Sequence, residues 1–332
     1  MKIDVFPHVL PRVCSERFEA VAPRDARDMI RGLAARPALA PMHDMNARFR
    51  LMDQVPGGCQ QVITMCVPPI EQVATGPTGA DLARLANDTM AELVQRHPDR
   101  FRGFAAALPM DSLDAAVREL DRAIGQLSAF GIQIFTNVNG LPLDEPRFEP
   151  VFARMAQLDK PVWVHGARQP GRPDYAGEEH SKFGLWLSLG WPYEMAMFAA
   201  RVVCSGLLDR HPNLRIITHH GGGMIPAFGH RVSAAILEFE PEGHEAEVAA
   251  FRRLQGPPGE YFKRFFADTS ASALAIDAAV KFFGPDYVLW GTDMPFVPPA
   301  ANAAAIHGLG LGENVLERLF ETNALQLLGL TR

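Results

Sequence analysis

The sequence predicts an α/β fold, a single (β/α)8 or TIM barrel, and three observations point there. Eight short runs rich in Val, Ile and Phe recur along the chain, and stretches with apolar residues at helical spacing separate them. No Gly-rich GxGxxG turn follows the first run, as an open dinucleotide-binding sheet would require.

Strands are expected at Lys2–Phe6 (KIDVF), Gln60–Val67, Phe101–Leu108, Gly131–Thr136, Pro161–His165 (PVWVH), Leu214–His220 (LRIITHH), Arg264–Ser270 and Asp286–Asp293 (DYVLWGTD). Leu82, Leu85, Ala86 and Leu93 mark one intervening helix, and Val117, Leu120, Ile124 and Leu127 the next. Two stretches break the rhythm. Residues 11–53 hold several Arg and Pro and no clean strand–helix unit, so a small insertion subdomain is expected after the first strand, over the barrel mouth. Residues 168–193, rich in Gly, Pro and aromatics, are expected to form an active-site loop. The chain, 1–332, otherwise reads as one domain without internal repeats.

Of the 332 residues, 48% are hydrophobic and 21% charged, and the formal net charge is -6. That composition supports a large core and supplies no basic patch for a phosphate backbone, so no nucleic-acid partner is expected. No apolar run approaches the roughly 20 residues that span a bilayer. The opening residues, MKIDVFPHVLP, carry an acid and a proline where a secretory core is apolar. No membrane association and a cytoplasmic location are therefore expected. Cys14, Cys59, Cys66 and Cys204 form no CxxC pair and read as reduced, buried thiols.

Catalytic groups of such a barrel project from the C-terminal strand ends. Four residues of metal-ligand type fall there: His8 past the first strand, His165 closing the fifth, His220 closing the sixth and Asp293 closing the eighth. Each alone is as readily structural. Four on one rim point to a shared divalent ion, which needs several converging donors. A ligating His must be neutral, while one beside the ion can shuttle a proton near pH 7. His219, one residue before His220 on a strand, is expected to face the opposite side in a structural role.

The segments KIDVFPHVLP, PVWVHG, IITHHGGGMIPAFGHRV, FFADTS, VLWGTDMPF and TNALQLLGL resemble successive signatures of the amidohydrolase superfamily. The resemblance is to the amidohydrolase-related branch containing aminocarboxymuconate-semialdehyde decarboxylase, the resorcylate, carboxyvanillate and isoorotate decarboxylases, and some hydrolases. It runs from Lys2 to Leu330, with HGGGMIP and GTDMPF its most specific pieces. It implies one divalent metal ion, zinc foremost with manganese the alternative, held by His8 and His165. Asp293 is implied as a ligand or proton carrier and His220 as the general acid/base, with the following glycines letting the backbone turn against the site. One departure stands out. The family commonly opens with HxH or, in several decarboxylases, ExxH-like variants, whereas Phe6 precedes Pro7 and His8 here, and a phenyl ring donates nothing to a metal. Either the ion keeps at most His8, His165, Asp293 and His220, with more open positions and weaker affinity, or Phe6 fills a ligand's place in a metal-free site.

The resemblance also sets Arg231 where an arginine reaches a neighbouring subunit's site and grips a substrate carboxylate through its bidentate fork; the plain alternative is an exposed helix arginine. Arg36, Arg48 and Arg50 in the insertion are further candidates, although Arg48 and Arg50 fit equally well as salt-bridge partners. Trp191 and Tyr193, with Trp186 and Tyr175, are expected to wall an aromatic substrate pocket or else form the loop's own core. His180, Glu178 and Glu179 are further candidates at the mouth, and Asp268 is expected to orient a ligand from behind.

The function expected is metal-dependent, non-oxidative decarboxylation of a small aromatic or unsaturated carboxylic acid, with His220 or Asp293 delivering a proton to the carbon that bears the carboxylate. Hydrolysis or hydration on the same barrel is the alternative, because one fold hosts many chemistries. A degenerate subunit paired with an active paralogue is a third reading, motivated by Phe6. The partners expected are a small-molecule carboxylate and a second copy in a homodimer, or a paralogous chain in a heteromer.

Overall fold

Short β-branched and aromatic runs each pair in parallel with the next run along the chain, which requires a crossover between every two. The computed structural model describes residues 1–239 and 245–331; residues 240–244 and 332 of the expected 1–332 domain lie outside the described residues. The first strand, Lys2–Asp4, pairs with the second, Cys59–Met65, and His8–Val9 prolongs it beside Thr64 and Met65. Pairing continues through Phe101–Ala107, Gly131–Phe135, Val162–His165, Ile216–Thr218 and Phe266–Ala267, in sequence order.

The eighth strand is shorter than expected. Of Asp286–Asp293, only Val288 bridges to Ala267, with Leu289 N donating to Ala267 O at 2.9 Å. The Trp290 amide is drawn off to Leu319 O at 2.8 Å, which ends the ladder. Val5 N nevertheless donates to Trp290 O at 2.9 Å, so the last segment meets the first strand and the sheet closes on itself as in a TIM barrel.

Alternation along the strands sends one set of side chains inward. Ile3, Val5, Val62, Ala105, Trp163, Ile217 and Leu289 fill the interior, and Leu325 and Leu328 of helix Asn323–Leu328 pack against them. Trp163 satisfies its indole by donating to Val5 O at 2.8 Å. The other set packs on surrounding helices, with Leu82 and Ala86 of Gly76–Arg96 and Leu120 of Leu113–Gln126 buried as the spacing predicts. All four cysteines are free, and burial pushes the Cys59 thiol up to about 12.

The insertion is helical: α1 (Arg12–Val21), α2 (Arg24–Ala35), a 3-10 turn (Pro37–Met42) and α3 (Met45–Met52). Cys14 and Phe18 of α1 and Ile30 and Leu33 of α2 form the buried stripes, and Asp44 caps α3 by accepting from Ala47 N at 3.0 Å. Of the two roles open to Arg48, substrate handle and fold support, the structure fits the second. Its side chain is wholly buried, donating to Gln61 Oε1 at 2.7 Å, His8 O at 2.8 Å and Pro41 O at 3.2 Å. Gln61 in turn donates to Asp4 Oδ2 at 3.0 Å, and Asp4 accepts the Thr292 hydroxyl at 2.7 Å. Burial raises the Asp4 carboxyl to about 6 and lowers the Arg48 guanidinium to about 10. Arg36 and Arg50 are exposed.

The loop after the fifth strand ends earlier than the 168–193 expected. Leu185–Ser188 forms a helical turn and Gly190–Cys204 a helix that carries Trp191 and Tyr193.

Arg48→Ala leaves Asp4 buried without its cation and two carbonyls without a donor, so it should cost about 3–5 kcal/mol, read as a lower urea midpoint; a loss under about 1 kcal/mol would contradict this role. Burial also pushes Glu71, in helix Ile70–Val73, from 4.5 up to about 8, with Asp111 adding to the rise. A folded pKa above the unfolded one means that stability falls as pH climbs from about 4.5 to about 8. Glu71→Gln should therefore stabilise by on the order of 2–4 kcal/mol near pH 8.5 and by almost nothing near pH 4.5. Equal effects at both pH values would refute it.

Candidate functional site

Strand register decides which side chains enter the barrel mouth. Trp163 and Ile217 are direct partners and both face inward, so His165 and His219, two residues further on, enter the same space. This corrects the expectation that His219 faces away in a structural role. The sixth strand ends at Thr218 rather than His220, and His219 is fully buried, its ring centre 4.7 Å from that of His165. His220 then adopts a left-handed φ of 56°, followed by Gly221, Gly222 and Gly223 at 65°, 81° and 62°. This region is open to glycine, and a Cβ on Gly223 would lie 2.5 Å from Pro192 O. The reversal turns His220 back toward the same centre, with Nε2 4.0 Å from Asp293 Oδ2.

Three imidazoles are fixed through Nδ1. His165 Nδ1 lies 2.7 Å from Gly166 O, and a carbonyl only accepts, so Nδ1 carries the proton and Nε2 a lone pair. His8 Nδ1 lies 2.8 Å from Thr64 Oγ1, whose single proton goes to Pro7 O at 2.9 Å; the hydroxyl must therefore accept from Nδ1. His219 Nδ1 donates to the Asp268 carboxylate. Asp268 is itself held by Gly221 N at 3.0 Å, Ser270 N at 3.2 Å and the Ser270 hydroxyl at 2.8 Å. The imidazole that Asp268 holds is that of His219.

The opposite nitrogens converge. His8 Nε2 and His219 Nε2 are buried without hydrogen-bond partners, 3.2 and 3.6 Å from the same Asp293 Oδ1. His8, His165 and His219 each offer a ligand atom within 4.8 Å of the others, and His219, His220 and Asp293 form a second such group. Phe6 is fully buried with its ring stacked on His219 at 3.9 Å.

Burial keeps His8 and His165 neutral by lowering their pKa values, and it takes His220 down to about 3. Burial acts the same way on His219, yet Asp268 and Asp293 outweigh it and raise it to about 9. Burial works against the Asp293 carboxylate, but His219 and His8 hold its pKa far below the usual range. Two carboxylates thus flank the imidazoles, Asp268 buried behind His219 and Asp293, 18% exposed, facing the unpartnered Nε2 atoms of His8 and His219. That donor set and that charge fit one divalent cation.

An aromatic wall stands beside the cluster. The Trp191 ring stacks over His220 at 5.9 Å and meets His165 edge-on at 5.0 Å, and Trp186 lies edge-on to Trp191 at 5.6 Å. The approach depends on Gly166, where a Cβ would lie 2.7 Å from Trp191 Cβ. Met29 of α2, Pro68, Phe135, Arg168, Trp186 and Trp191 line the adjoining cavity. Arg168 donates to Pro173 O at 2.8 Å and leaves Nε buried without a partner.

Tyr193 does not join this wall. Two residues past Trp191 on a helix, it is rotated by roughly 200°, and it lines a separate groove of about 250 Å³ with Asn137, Asp144 and Arg172. Tyr175, Glu179 and His180 are exposed, and Glu178 pairs with Lys182 at 2.8 Å. Arg231 is exposed on helix Ile225–Phe239. Reading the sequence does not reach Thr64, Arg168 or Met29. For His219 a signal exists in its register with His165.

The family model described as Amidohydrolase matches residues 66–330. A gamma-resorcylate decarboxylase from Rhodococcus jostii is 32% identical over 302 residues, covering 86% of this chain and 88% of its own. A 2-amino-3-carboxymuconate-6-semialdehyde decarboxylase from Dictyostelium discoideum is 28% identical over 99% of this chain and 92% of its own. The solved 5-carboxyvanillate decarboxylase from Sphingomonas paucimobilis aligns at a TM-score of 0.85 with 26% identity, over 99% of both chains. That from Novosphingobium aromaticivorans, complexed with manganese and 4-hydroxy-3-methoxy-5-nitrobenzoic acid, shares the fold at a TM-score of 0.84 with 23% identity, over 99% of this chain and 96% of that one. Matched over most of its length by the family model and by the Rhodococcus protein, this chain belongs to the amidohydrolase family.

Proposed function

We propose that this chain is a divalent-metal-dependent, non-oxidative decarboxylase of a small aromatic or unsaturated carboxylic acid. The observation that carries the reading is the convergence of unpartnered, buried imidazole nitrogens on the Asp293 carboxylate beside an indole wall. The decarboxylase names of the relatives and the manganese in the Novosphingobium structure support it. His8, His165 and Asp293 would hold the ion, and imidazole with carboxylate suits zinc or manganese. The bound ion would supply Lewis acidity and a template for the substrate's oxygens.

The remaining work falls to the chain's own groups. Trp191 and Trp186 flank a planar substrate, and Arg168 is the cation of the cavity lining placed to meet its carboxylate. His220, between Trp191 and Asp293, moves the proton that ends on the carbon losing carbon dioxide, with Asp293 as its partner. Met29 of α2 reaches the cavity, which supports the insertion, 11–53, as a cover over the mouth opposite the loop, 168–193.

Exposed apolar side chains, Phe183 (93%), Leu189 (55%) and Phe228 (51%), support a homodimer with Arg231 near its interface. Four free thiols fit a reducing, cytoplasmic location. No described helix is long and apolar enough to cross a membrane.

Incubating the protein with a panel of hydroxybenzoates and muconate semialdehydes should release carbon dioxide, stop with chelator and resume on adding zinc or manganese. Gain of water in the product mass would instead favour hydrolysis, and silence of metal-loaded protein across the panel would count against both. His220→Asn should lower kcat by about 10²–10⁴-fold with metal content unchanged; loss of metal in that variant would make His220 a ligand rather than the proton carrier.

A further inference from the structure

We infer that His219 is itself a ligand of the divalent ion, so that the centre is three imidazoles and one carboxylate: His8, His165, His219 and Asp293. The inference rests on the metal-dependent reading above and changes the ligand set of that reading. It begins from what each imidazole does with its outer nitrogen. His8, His165 and His219 are each tied back at Nδ1, to the Thr64 hydroxyl, the Gly166 carbonyl and the Asp268 carboxylate respectively. A carboxylate or carbonyl behind Nδ1 is the arrangement that fixes a ligating imidazole's tautomer and aim. His220 differs: its Nδ1 is buried and unpartnered, and its ring lies under Trp191.

The inner nitrogen agrees. His219 Nε2 approaches the same Asp293 oxygen as His8 Nε2 and makes no hydrogen bond there, at 3.6 Å against 3.2 Å. A histidine serving only as an internal cation for Asp293 would close that gap into a charge-assisted bond of about 2.7–2.9 Å. Nitrogen and oxygen instead stand apart as donors do around a common centre, since bonds of about 2 Å hold neighbouring ligand atoms more than 3 Å from each other.

Phe6 completes the geometry. It supplies no donor, and its phenyl ring lies face to face with the His219 imidazole at an interplanar angle of 24°. Wholly buried, it blocks rotation of that imidazole away from Asp293. A chain with phenylalanine at this point of the first strand thus retains three nitrogen donors, because the sixth strand delivers two consecutive histidines into the mouth and keeps His220 for proton transfer.

The test is zinc(II) affinity of the full chain, measured by competition with a chromophoric chelator. His219→Ala and His219→Gln should each weaken binding by about 100-fold or more, as His8→Ala does, and Asp268→Asn by about 10–100-fold. X-ray absorption fine structure of the zinc-loaded wild type, which requires no variant to fold, should count three imidazoles. Zinc affinity of His219→Ala within about threefold of wild type while His8→Ala loses binding, or a count of two imidazoles, would overturn the assignment and leave the metal-dependent reading standing. Wild type that binds no zinc would defeat both.

Discussion

Several imidazoles can be aimed at one carboxylate only if each is gripped from behind. In this chain the grip comes from three different parts of the barrel: the Thr64 hydroxyl of the second strand, the Gly166 carbonyl after the fifth, and Asp268 after the seventh. Tautomer and direction of the histidines follow from those three contacts. Leaving buried nitrogens without partners costs on the order of 1–3 kcal/mol each, a strain that folded proteins tolerate mainly where a ligand relieves it. The neighbouring Trp191 ring and the left-handed backbone at His220 and Asp293 belong to the same local departure from ordinary packing.

Beneath the cluster lies a second polar layer. Arg48, Gln61, Asp4 and Thr292 form a chain of hydrogen bonds linking the insertion, the second strand, the first strand and the residue before Asp293. Arg48 also binds the His8 carbonyl, so the backbone on both sides of the candidate centre is tied to one guanidinium. Residues 11–53 are therefore part of the support of the backbone that carries His8.

Much of this was legible in the sequence, and the parts that were not share a cause. The parallel strands, and the placing of His8, His165, His220 and Asp293 at or a few residues past them, follow from apolar runs terminating in polar residues. His219 enters the mouth by alternation from Ile217, a register the sequence carries, whereas the turn of His220 back to the same centre depends on a positive φ that no periodicity announces. For Arg48 the sequence left substrate contact and a fold-supporting role open, because nothing in a polar, proline-containing stretch shows that Gln61 and Asp4, both buried, draw it inside. Tyr193 was misread because a loop was expected where a helix begins at Gly190, and helical rotation separates it from Trp191. Thr64 holds His8 through a contact between segments 56 residues apart, and a single sequence carries no mark of such a pairing.

The three grips form at a strand's own end or between neighbouring strands, but His8 on the first strand and Asp293 on the last segment meet only when that segment hydrogen-bonds to the first through Val5 and Trp290, so the centre is complete only in the closed sheet. No early folding intermediate presents these nitrogens together, so an ion would arrive after ring closure, lock the finished architecture and slow its opening.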